Sequence, residues 1–150
     1  MSNTFPLQAL LELTQTRTDD AARRLGELLA AQRSVADKLR MLEDYRHEYN
    51  ARFVEAAQAG LSPDAWRNYS AFIARLDEAI LAQRDIVNQS RIQTTQGQQA
   101  WLTQRNRLMA FDTLADRHRK QLAKAEARQE QKQADEHAAR RHHNDGEVAD

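Results

Sequence analysis

The chain has 150 residues, 22 basic and 22 acidic side chains, four glycines, two prolines and no cysteine. So few turn formers argue against a loop-rich globular domain, and the absence of cysteine excludes disulfides and thiolate chemistry. With no formal net charge, nothing global steers the chain toward nucleic acid.

Ser2, Asn3 and Thr4 followed by Pro6 read as a helix start, with Thr4 as the cap. A three-four repeat then runs from Leu11, Thr14 and Thr18 through Leu25, Leu28, Val35, Leu39 and Leu42 to Tyr49 and Phe53. It predicts a first helix over about 5–58. Gly60 is suited to the positive φ that ends a helix. Ser62 then caps the next one, with Pro63 and Asp64 in its first turn. The turn spans about 59–62, and a loop this short makes the helices antiparallel neighbours.

The second repeat runs from Tyr69, Ile73, Leu76 and Ile80 through Gln83, Val87 and Thr94 to Trp101, Leu108, Phe111 and Ala115. It predicts a helix over about 63–140. Facing residues then have numbers summing to roughly 122, the value a short antiparallel turn imposes. Trp101 falls opposite Ala21 and Ala22, a large ring against two small side chains that keeps the seam evenly filled. Gly97 falls near Gly26, Gln32 faces Ser90 to Thr94 and Asn88 to Gln99 is almost wholly polar, so this middle is expected to be thin and to bend more than the turn end. The expected fold is all-α: a long antiparallel two-helix coiled-coil hairpin with a C-terminal helical extension, forming a single elongated domain over 1–150.

Beyond about residue 120 the second helix has no partner. Arg117, Arg119, Lys120, Lys124, Arg128 and Lys132 make this extension basic, although Glu126, Glu130, Asp135 and Glu136 interrupt it. A charge run is ordinarily a solvated helix face, and the competing reading is docking on an acidic partner. Residues 144–150 are expected to be a disordered polar tail.

Near the turn the apolar surface is wider than a two-helix seam needs. Met41 and Tyr45 flank the first repeat, and Phe72, Ala79 and Ile86 flank the second. These side chains either shield the seam edge or form a docking surface, and tyrosine recurs in binding hot spots. The same face would serve a four-helix dimer, which is the alternative to a monomer.

Little here supports chemistry. His118, His137, His142 and His143 match no zinc spacing, and Asp19 with Asp20 lies on an open helix without a pocket. No phosphate loop or nucleophile elbow is present, so no enzyme activity, cofactor or metal is expected. No apolar run approaches the roughly 20 residues of a membrane span, and Met1 to Leu13 lacks a secretion signal, so the expected location is cytoplasmic.

The chain resembles the flagellar export chaperone FliJ family over nearly its whole length. The resemblance rests on Asp20-Ala21-Ala22-Arg23 with Leu25-Gly26, and above all on Met41-Leu42-Glu43-Asp44-Tyr45-Arg46-His47-Glu48-Tyr49. Trp66, Asn68-Tyr69, Phe72, Leu76, Ala79-Ile80, Trp101, Arg107, Thr113-Leu114 and Arg117 continue it.

The resemblance implies a two-helix coiled coil similar to the central stalk of rotary ATPases, within the flagellar type III export apparatus. It implies binding to the hexameric export ATPase FliI at its central channel, and to the cytoplasmic part of the export gate protein FlhA. It further implies handling of late-substrate export chaperones, without nucleic acid binding or direct membrane insertion, at the inner-membrane export apparatus. The family's gate-binding surface maps onto Leu42, Tyr45, Tyr49, Phe72, Leu76 and Ala79, with Lys38 and Gln83 departing from the commoner residues at its rim. The ATPase would meet the basic extension, with Arg117, Arg119, Lys120, Lys124, Arg128 and Lys132 as contacts. The alternative is a generic structural coiled-coil adaptor.

Overall fold

A computed structural model describes residues 4–148. It contains two helices, α1 (Gln8–Ala59) and α2 (Pro63–Val148), and no strand among the described residues. The all-α antiparallel hairpin expected from the paired repeats is the fold observed. Two compact units can be distinguished: Thr18–Thr103, and a second made of the chain up to Arg17 together with α2 from Gln104 onward.

The first unit contains the turn. Gly60 has φ +99° and its amide donates to the Ala57 carbonyl at 3.3 Å, which closes α1 in the left-handed conformation that glycine adopts most readily. The Ser62 hydroxyl accepts the Ala65 amide at 3.2 Å, and the Ser62 carbonyl accepts the Trp66 amide at 2.9 Å. Ser62 therefore satisfies one of the amides the helix start leaves unpaired, and Asp64 adds a favourable charge in the first turn.

Leu28, Leu76, Ile80 and Val87 are the buried apolar side chains of this unit. Each contributes about 1.5–3 kcal/mol by leaving water. Between them the seam is polar but bonded. Gln83, 4% exposed, donates from Nε2 to the Val35 carbonyl across the seam at 3.0 Å. Buried Thr94 donates to the Ser90 carbonyl one turn back at 3.0 Å. Arg46 and Asp77 form an ion pair between the helices, and Arg84 and Glu43 form another at 3.4 Å. The contacts that cross the seam join residues whose numbers sum to between 118 and 127, near the register a short turn dictates.

Gly26 and Gly97 are not joint weak points. A Cβ on Gly97 would stand 2.5 Å from Leu28 Cδ1, so the Leu28 side chain fills the space that the missing side chain leaves. Gly26 faces open space instead.

In the second unit α1 starts at Gln8, later than a Thr4 cap would place it; residues 1–3 lie outside the described chain. The Gln8 amide donates to the Phe5 carbonyl at 3.0 Å in a turn that returns the Phe5 ring to His118, at 5.7 Å between centroids. Pro6 lies within this turn, and the ring contact packs it against α2. Leu122 is the last half-buried residue of α2, and residues 123–148 are exposed.

α2 nevertheless continues to Val148, past residue 140 and through 144–148, where the sequence predicts a disordered tail; 149–150 lie outside the described residues. Its Ala, Gln, Lys, Glu and Arg content favours helix, Gly146 costs only about 1 kcal/mol, and His143 meets Glu147 at 3.4 Å one turn on.

Candidate partner-docking surfaces

Near the turn, six rings form a continuous ladder that alternates between the helices. Trp66 meets Phe53 at 4.9 Å, Phe53 meets Tyr69 at 5.4 Å, and Tyr69 meets Tyr49 at 5.3 Å. Tyr49 then meets Phe72 at 4.3 Å, and Phe72 meets Tyr45 edge-on at 6.1 Å. Such pairs contribute about 0.5–1.5 kcal/mol each beyond the area they bury, so this is a rigid platform.

The six residues that the resemblance assigns to gate binding divide by depth. Tyr45 and Ala79 are exposed, whereas Leu42, Tyr49 and Phe72 are half-buried. Leu76 is only 7% exposed and belongs to the seam core, where it supports the surface from beneath. Gln83 likewise lies inside the seam rather than on the rim.

Helical spacing puts Tyr45 and Phe72 on one flank of the hairpin, with Ala79 and Ile86 following at intervals of one heptad. The Arg46–Asp77 and Arg84–Glu43 pairs lie on the opposite flank. The apolar flank thus stays open while charges tie the helices together behind it.

Met41 is 62% exposed and borders a shallow groove of about 710 Å³ lined by Asp37, Arg40, Leu42, Asp44, Tyr45 and Glu48. Arg40 is paired with Asp37 at 3.8 Å, so Asp44 and Glu48 give the rim its negative character. Met41 is legible as a flank of the seam repeat, whereas this acidic edge follows from the helix pitch.

The basic residues of the extension are all exposed. Asp116 holds Arg119 at 3.1 Å and Lys120 at 3.3 Å. Lys124, Arg128 and Lys132 form no ion pair among the described residues. Steps of three and four place Arg117, Lys120, Lys124, Arg128 and Lys132 on one stripe, with Glu126 and Glu130 across the helix. Like charges at this spacing repel by a few tenths of a kcal/mol per pair, and of these five only Lys120 has an ion-pair partner among the described residues.

Among the described residues, no group of three or more His, Asp or Glu side chains is placed to hold a metal ion. No described helix is long and apolar enough to cross a membrane.

The profile of the family described as Flagellar FliJ protein matches residues 2–147, essentially the whole chain. The chain belongs to the FliJ family. The Flagellar FliJ protein of Escherichia coli strain K12 is 34% identical over 134 residues, which cover 89% of this chain and 91% of the relative. The Flagellar FliJ protein of Salmonella typhi is 36% identical over 141 residues, with the same coverage of each chain.

A solved structure described as a YscO homologue from Chlamydia trachomatis superposes with a TM-score of 0.58. It covers 95% of this chain and 96% of its own at 21% identity, a likeness of fold. The resemblance read from the sequence is therefore a FliJ family relationship, and it puts the chain among components of the flagellar export apparatus.

Proposed function

We propose that the protein is a non-enzymatic coupling stalk of flagellar protein export. One surface docks on the cytoplasmic part of the FlhA-like export gate, and the other engages the FliI-like hexameric ATPase. It works in the cytoplasm, peripherally associated with the inner-membrane export apparatus, and assists cycling of late-substrate export chaperones. Catalysis belongs to the ATPase and not to this chain.

The observation that carries the reading is the open aromatic flank at Tyr45 and Phe72, set on a rigid ladder and free of the ion pairs that tie the helices. Half-exposed rings on a rigid support bind at low entropic cost, which suits a gate contact formed by Leu42, Tyr45, Tyr49, Phe72 and Ala79 over a Leu76 base. The unpaired stripe Lys124, Arg128 and Lys132 suits an acidic partner, and with Arg117, Arg119 and Lys120 it is assigned to the ATPase.

A helix pair whose faces differ gives ring subunits different contacts, so ring state and stalk orientation couple through differential binding. The test joins two variants. Tyr45→Ala with Phe72→Ala retains helicity but loses affinity for the gate domain, whereas removing Gln121 to Asp150 lowers association with the ATPase. Unchanged gate affinity in the first variant rejects the gate assignment.

A further inference from the structure

A second apolar patch lies in the unit formed by residues up to 17 and from 104, and the seam repeat does not account for it. Leu10 and Leu13 stand three residues apart on α1, beside rather than within the line of Leu7, Leu11 and Thr14. They are 47% and 45% exposed. On α2, Leu114 is 40% exposed beside Phe111 and Ala115, with exposed Ala110 one turn before it. Antiparallel packing brings Leu10 and Leu114 to the same flank, by the geometry that joins Tyr45 and Phe72 in the other unit.

Arg17, Arg107 and Arg117 border this patch at one-turn steps from Leu13, Ala110 and Leu114. None of the three forms an ion pair among the described residues. Along α2 the patch leads into the stripe of Lys124, Arg128 and Lys132.

We infer that Leu10, Leu13 and Leu114 are the apolar anchors of the ATPase contact, and that they seat in an apolar surface of the partner edged by carboxylates. This rests on the ATPase reading above and gives that site its chemistry. A second copy of this chain is the poorer occupant, because a two-fold contact through the patch sets the arginine border of one copy against that of the other. An apolar surface with acidic edges meets the leucines and pairs the arginines at once. The leucines then control dissociation, and the arginines control encounter rate and salt dependence.

The experiment measures binding of the full-length chain to the purified flagellar export ATPase at low and high salt, with sedimentation of the chain alone alongside. Leu13→Ser with Leu114→Ser is expected to lose about tenfold or more in affinity at both salt concentrations, through faster dissociation. Arg17→Gln with Arg107→Gln loses affinity chiefly at low salt. Ala110→Glu keeps the helix, places a carboxylate against carboxylates and weakens binding as well.

Wild-type binding with unchanged affinity in the Leu13/Leu114 and Ala110 variants overturns the patch but leaves the ATPase reading standing. Absence of wild-type binding overturns both. Loss of self-association in the leucine variant, without loss of ATPase binding, makes the patch a dimer contact and also overturns the inference.

Discussion

Leu28 Cδ1 stands 2.5 Å from the point that a Cβ on Gly97 would occupy, whereas a Cβ on Gly26 meets nothing within 4 Å. The two glycines should therefore respond oppositely. Gly26→Ala is expected to stabilise the hairpin by about 0.5–1 kcal/mol through helix propensity. Gly97→Val must displace buried Leu28 and is expected to cost about 1–3 kcal/mol by overpacking. Urea unfolding followed by circular dichroism reads both changes.

The Arg46 guanidinium, through its hydrogen bond and then its charge, holds the Asp77 carboxyl below the ordinary carboxylate range against the opposing effect of desolvation. A folded-state pKa lowered in this way contributes stability above the unfolded pKa and loses it as pH falls through the folded value. Asp77→Asn should thus lower the midpoint of thermal unfolding slightly at neutral pH. The difference from wild type should vanish below the folded Asp77 pKa. Arg46 stays charged throughout, so no second transition is expected near neutrality. The effect is small because both side chains remain substantially exposed.

Gln83 donates to a Val35 carbonyl that already sits in a helical ladder, so its contribution is to register more than to stability. Gln83→Leu should leave the thermal midpoint unchanged or raise it, while broadening the spread of interhelical distances. The native chain has no cysteine, so spin labels at single introduced cysteines on each helix report those distances cleanly. A narrow distribution identical to wild type would show that Gln83 does not set the register.

Residues 123–148 of α2 are helical yet exposed throughout. A helix without tertiary contacts is held only by local propensity, so its amides should exchange with deuterium much faster than those around Leu76, Ile80 and Val87. Adding the ATPase should slow exchange across Lys124 to Lys132. Slow exchange in the free protein would reveal a contact for this segment that the hairpin does not supply.

The hairpin was legible because the repeats through Leu28 and Leu76 keep one spacing and because Gly60, Ser62 and Pro63 punctuate only once. The return of Phe5 to His118 was not, since no local pattern encodes a contact between positions so far apart in sequence. The persistence of α2 to Val148 is not legible in a polar segment that holds Gly146 and buries nothing, because only local helix propensity carries it.

At the docking surfaces, Tyr45 and Ala79 could be recognised as lying outside the seam. The burial of Leu76 and the inward turn of Gln83 depend on the rotation of each helix about its axis, which a repeat alone leaves loose. Leu10 and Leu13 lie beside the repeat that begins at Leu11, and core spacing alone does not single them out.

The central claim is that one chain engages gate and ATPase through separate surfaces. Analytical ultracentrifugation of the full-length protein with the cytoplasmic gate domain and the export ATPase tests it most directly. The proposal predicts a ternary boundary that Tyr45→Ala with Phe72→Ala reduces to an ATPase complex lacking the gate. Mutual displacement of the two partners from the wild-type chain would contradict it.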